Sequence, residues 1–145
     1  RNPNKTVVAT ANAAPHFDDM QTEMTDEELT QVGHHVVSLL RKKEFKKIED
    51  EFGYAMRYGR PADKAIEEDL QRELIECSEF DGIDDTQSEI AISHFKLDDS
   101  WHLKSLIECY LKFSDEKGIL VEVMLTDEGS FFLEDISSFK PYTTE

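Results

Sequence analysis

Two periods of hydrophobic spacing divide this chain. Apolar residues between 24 and 77 recur every three or four positions, the repeat of a helix buried along one side. Those between 89 and 136 mostly alternate with polar ones, the repeat of a strand. The first helix has a well-marked start. Thr25 and Glu28 form a capping box, Asp26 and Glu27 put negative charge where the helix dipole is positive, and Met24 and Leu29 occupy the staple positions. Its stripe runs Leu29, Val32, Val36, Leu40. The next apolar residues, Phe45, Ile48, Phe52 and Ala55, are displaced by about half a turn. The pattern therefore predicts an end near Arg41-Lys42-Lys43, a bend, and a second helix from about Glu44 to Arg57, with one curved helix as the alternative. Gly59-Arg60-Pro61 interrupts the run, and Pro61 suits the first position of a third helix. That helix turns Ile66, Leu70, Leu74 and Cys77 inward and Glu67, Glu68, Asp69, Glu73 and Glu76 toward water.

Phe80 to Ser88 reads as a loop, marked by Asp81-Gly82 and Asp84-Asp85. Glu89 to Phe95 alternates as a strand. Leu103 to Phe113 fits either period; the short link Ser114-Asp115-Glu116-Lys117-Gly118 to the plain alternation of Ile119 to Thr126 favours a strand. Asp127-Glu128-Gly129 is a hairpin signal and Ser130 to Ile136 the returning strand. The order implies an α+β fold: about three N-terminal helices packed on one face of a C-terminal antiparallel β-meander. A polar Ala/Asn/Thr-rich arm over residues 1–23 is expected to precede a single domain over 24–140.

Charge sharpens this picture. The net charge is −16, and residues 60–100 alone hold thirteen Asp/Glu against four Lys/Arg. Such a surface repels nucleic acid and anionic membrane and draws basic partners. The one basic island, Arg41-Lys42-Lys43-Glu44-Phe45-Lys46-Lys47, is too small against that total to make a nucleic-acid platform. It is expected to cap a helix end and offset the acidic third helix. No apolar run approaches the ~20 residues that cross a bilayer. With two cysteines, no C-x-x-C pair and no export core in Arg1-Asn2-Pro3-Asn4, a reducing cytoplasm is the expected setting.

Catalytic chemistry finds little to hold. A working carboxylate pair needs two different environments, whereas Glu67-Glu68-Asp69, Asp84-Asp85 and Asp98-Asp99 are charge runs of the kind that line a solvated face. Asp81-Gly82-Ile83-Asp84-Asp85 fails as a calcium loop, because the twelfth position is Ile92 or Phe95 rather than Glu. His34 and His35 are adjacent and diverge on a helix. His94 and His102 flank Asp98 and Asp99 at no recognised ligand spacing, and hydrogen-bonded structural histidines are the simpler reading. No nucleophile elbow or phosphate-cradling glycine loop occurs. The residues predict no catalytic group, no metal and no cofactor.

Two stretches carry a family resemblance. Phe52-Gly53-Tyr54-Ala55-Met56-Arg57-Tyr58-Gly59-Arg60-Pro61, with Ala65-Ile66 and Asp69-Leu70, is similar to a segment of small bacterial proteins that include immunity proteins of interbacterial toxin systems. Trp101 through Glu116-Lys117-Gly118, then Leu120-Val121-Glu122-Val123 and Leu133-Glu134-Asp135-Ile136, resembles the ending of NTF2-like domains. The first resemblance implies a small acidic cytoplasmic inhibitor that captures a basic, nuclease-like toxin by occluding its active site. The expected contacts are Asp84, Asp85, Asp98, Asp99, Asp115 and Glu116, with Trp101 as apolar anchor. The second implies the alternative: a ligand-binding or enzymatic pocket between helices and sheet, tested at Tyr54, Tyr58, His94 and Glu108. A third possibility is self-association through an open sheet edge; a monomer or weak dimer is expected.

Overall fold

A computed structural model describes residues 24–96 and 102–141. Three helices precede a four-stranded antiparallel sheet of order β1-β2-β3-β4, the α+β arrangement expected from the spacing. Helix α1 spans Asp26–Arg41 and opens on the capping box at Thr25 and Glu28, with both reciprocal bonds formed. It ends where Lys43 turns left-handed and the Glu44 N–H reaches back to the Leu39 carbonyl at 2.9 Å. The bend between the first two helices is therefore real. Helix α2 covers only Phe45–Glu51, shorter than the expected run to Arg57. Gly53, at φ +74°, releases the chain into an extended Tyr54 and a 3-10 turn at Ala55–Arg57. Tyr54 pairs with Leu133 as an isolated bridge against the sheet. Helix α3, Ala62–Glu76, follows Pro61, which caps it rather than entering it.

Strands β1 (Gln87–His94), β2 (Leu103–Ser114), β3 (Lys117–Thr126) and β4 (Phe131–Phe139) form a meander. The ambiguous segment is thus a strand. All three helices cover one face, where Ile107, Cys109, Leu111, Ile119, Val121, Val123 and Leu133 are fully buried against Val36, Leu40, Ile48 and Ile66. Gly33 lets α1 sit this close. A Cβ there would lie 3.0 Å from the Ile90 Cγ2 and 3.1 Å from the Ile107 Cγ2, so a helix-interior glycine, normally a cost, serves the packing.

Regular alternation breaks once in the middle of the sheet. Val123 faces Leu133 and Glu122 faces Asp135, which leaves Glu134 as an extra residue in β4. The bulge explains why Leu133 and Ile136, three apart, are both buried.

Candidate protein-docking surface

The loop ahead of β1 is fastened at three points. The Arg41 guanidinium donates to the Thr86 carbonyl (2.6 Å) and hydroxyl oxygen (3.0 Å), the Thr86 hydroxyl donates to the Ile83 carbonyl (2.6 Å), and Ile83 plugs into the core. Among the described residues the buried Arg41 Nε has no hydrogen-bond partner, the polar cost of this fastening. Asp84 and Asp85 project from the anchored loop into solvent. Because Gln87 pairs with Lys112, the loop enters the sheet at the end where β2 turns into β3. Asp115 and Glu116, both exposed, form that two-residue turn. Four of the expected contact carboxylates therefore share one end of the molecule. None of the four has a cation within ion-pair distance among the described residues.

The basic island does not neutralise them. Lys46 pairs with Glu49 and Asp50, Lys47 pairs with Glu44, and Arg41 serves the loop backbone. Lys46 and Lys47 thus balance their own helix, while Lys43 lines a depression with Glu67 of α3 and Asp84. Asp98, Asp99 and Trp101 lie outside the described residues. The residues that bracket them, His94 and His102, stand at the opposite end of β1, about 25 Å away by strand rise.

Asp69 departs most from its expected place. Placed by spacing on the wet side of α3, it is 2 % exposed. It accepts from the Tyr54 hydroxyl at 2.6 Å, from Arg72 at 2.8 Å and from Arg60 at 3.1 Å. Burial alone would raise its carboxyl, but the three donors overcome that and hold it below the ordinary Asp value. Tyr54 is pushed upward by burial and by the same hydrogen bond. The cluster ties the extended Tyr54 segment to α3 and leaves the phenol no free proton to give.

His94 bridges two elements. Its Nδ1 lies 2.8 Å from the Ser105 hydroxyl and its Nε2 2.6 Å from an Asp26 carboxylate oxygen. The composition is that of a hydrolytic triad, but the Ser105 hydroxyl belongs to a residue only 1 % exposed and cannot meet a substrate. The relay instead pins the start of α1 to the sheet, the structural role expected of a hydrogen-bonded histidine. Both cysteines are free and buried, and burial pushes the Cys109 thiol up to about 12.

The four residues proposed to line a pocket do not converge. Tyr54 is buried against Asp69, Tyr58 is 79 % exposed, and His94 is held by Asp26 and Ser105. Glu108 falls on the sheet face opposite the helices. Among the described residues, no group of three His, Cys, Asp or Glu is placed to hold a metal ion, and no helix is long and apolar enough to cross a membrane.

That opposite face is a feature spacing alone did not reveal. Register stacks its side chains in rows: Ser93, Leu106, Met124 and Phe132; then Ala91, Glu108, Glu122 and Asp135; then Glu89, Tyr110, Leu120 and Ser137. None of these residues is fully buried, and no described helix packs on them. Burial first, then Asp135, Glu108 and Glu134, raise the Glu122 carboxyl above its ordinary range. The signal lay in the sequence as three outward carboxylates, but aligning them required the bulge at Glu134.

No family model, curated protein or solved structure matches the chain.

Proposed function

We propose that this chain is an acidic protein-binding module, an immunity-type inhibitor that neutralises a basic, nuclease-like toxin in the bacterial cytoplasm by occluding its active site. The observation that carries the reading is the uncompensated charge on a rigid support. Asp84 and Asp85 stand on a loop fastened by Arg41 and Ile83, at the same end as Asp115 and Glu116, and among the described residues no lysine or arginine of the nearby basic island forms an ion pair with them. Fixed, unpaired carboxylates complement the phosphate-binding cleft of a nuclease, and a field of −16 steers such a partner in. The mechanism is steric and electrostatic capture, with no bond made or broken. A panel of basic ribonucleases and deoxyribonucleases mixed with the full chain at low salt tests it by stopped-flow fluorescence. A complex forms with at least one, its nuclease activity is suppressed, and Asp84→Lys/Asp85→Lys slows association by about tenfold. Absence of any complex at low ionic strength overturns the reading.

A further inference from the structure

The acidic end explains attraction and shows one exposed aromatic, Phe80, in the depression it shares with Asp84; a broader outward set of apolar side chains lies on the helix-free face of the sheet. Leu106, Met124 and Phe132 form one apolar row across β2, β3 and β4, and Tyr110 with Leu120 form a second, two residues further along each strand. Between them runs the row Glu108, Glu122 and Asp135. Like charges directly opposite each other in a sheet are unfavourable, and here the central member is also partly withdrawn from water. Among the described residues, none of the three carboxylates has a Lys, Arg or His within 4 Å. Lys112, an outward cation of β2, is taken by Glu89 at 2.5 Å. At the β4 edge Asp135 also borders a shallow depression lined by Arg60 and Arg72, both already bound to Asp69.

We infer that this face is the holding surface for the basic partner, and that it takes an arginine set between apolar side chains. The inference rests on the binding function proposed above. A guanidinium fits the row better than an ammonium. It is planar, reaches two carboxylates at once and stacks on an aromatic ring such as Tyr110. Apolar groups on either side of that arginine cover the two flanking rows, and desolvation strengthens the ion pairs they enclose. At neutral pH a seated cation relieves the repulsion between Glu108 and Glu122. The acidic end thus accelerates encounter while the sheet face sets residence time.

The test titrates the isotope-labelled full chain, at low salt, with an alternating leucine–arginine pentapeptide amide and with its serine–arginine and leucine–lysine counterparts. Amide shifts are expected in 106–110 and 120–124, with tightest binding by the leucine–arginine peptide. Glu108→Gln/Glu122→Gln should weaken that binding at least tenfold, and Asp84→Asn/Asp85→Asn less than threefold. The amide variants keep shape and remove repulsion, so they fold. Shifts confined to 80–86 and 114–117 overturn the holding surface while leaving the binding function standing. Capture of a basic nuclease unaffected by the Glu108/Glu122 pair has the same meaning. No shift with any basic probe and no nuclease complex overturns both. Two other results each overturn the inference, because each names another occupant. One is concentration-dependent dimerisation abolished by Leu106→Lys; the other is nuclear Overhauser contacts from residues 1–23 to Met124 or Phe132 in the free chain.

Discussion

Asp69 and Glu122 are both carboxylates drawn partly out of water, and their neighbours push them in opposite directions. Around Asp69 stand three donors, so the charged form is favoured and the carboxyl titrates below its unfolded value of 3.8. The folded state then binds fewer protons than the unfolded one as pH falls past about 4, and the stability Asp69 contributes at neutral pH is lost through that descent. Asp69→Asn should lower unfolding stability by about 2 kcal/mol at pH 7, with the difference from the parent narrowing below about pH 4. Urea midpoints across the range read this directly. Around Glu122 stand carboxylates, and its raised value means the folded state takes up a proton more readily than the unfolded one. Its penalty is present above the folded value and is relieved as pH falls toward 4.5. Glu122→Gln should therefore stabilise by about 0.5 kcal/mol at pH 7 and by nothing near pH 4. A destabilised variant at pH 7 would show that Glu122 has a favourable partner instead.

Elements were legible where one residue type dictates one geometry. Thr25, Asp26, Glu27 and Glu28 fix the start of α1 by local hydrogen bonds alone, and Asp127-Glu128-Gly129 places the last hairpin through a glycine at φ +88°. The failures came where tertiary partners outweigh spacing. Asp69 looked solvated because its neighbours Glu67 and Glu68 are, and nothing local announces that Tyr54, Arg60 and Arg72 will close over it. Apolar Phe52 and Ala55 extended the expected second helix past Gly53, whose left-handed turn ended it. The surface acidity was plain from composition, but the carboxylate row depended on pairing register, which spacing within one strand cannot set. The bulge gives a sharp check. Because Glu134 is the unpaired extra residue, deleting it leaves Leu133 opposite Val123, and Ile136 opposite Val121. That deletion should fold and cost no more than about 1 kcal/mol, whereas deleting Met124 from the regular part of β3 moves its side chains to the wrong face and should abolish cooperative unfolding. Thermal melts followed by circular dichroism distinguish the two.

For the whole molecule, one quantity bears on both folding and the proposed capture, with opposite sign. A net charge of −16 on 145 residues makes the compact state repel itself, since folding brings the carboxylates closer than the unfolded chain does. The same field reaches out about 30 Å at 0.01 M ionic strength and only about 8 Å at 0.15 M. Raising salt across that range should then raise the thermal midpoint of the free chain by several degrees while slowing its association with a basic nuclease by more than tenfold. On the proposed holding surface dissociation should change far less, because contact buried over Leu106, Met124 and Phe132 is not screened by salt. The two measurements separate the roles of charge. If salt slowed association but left the midpoint unchanged, the acidic surface would act on partners without straining the fold. If dissociation quickened as steeply as association slowed, the partner would be held by exposed charge alone, and the apolar rows of the sheet would play no part in holding it.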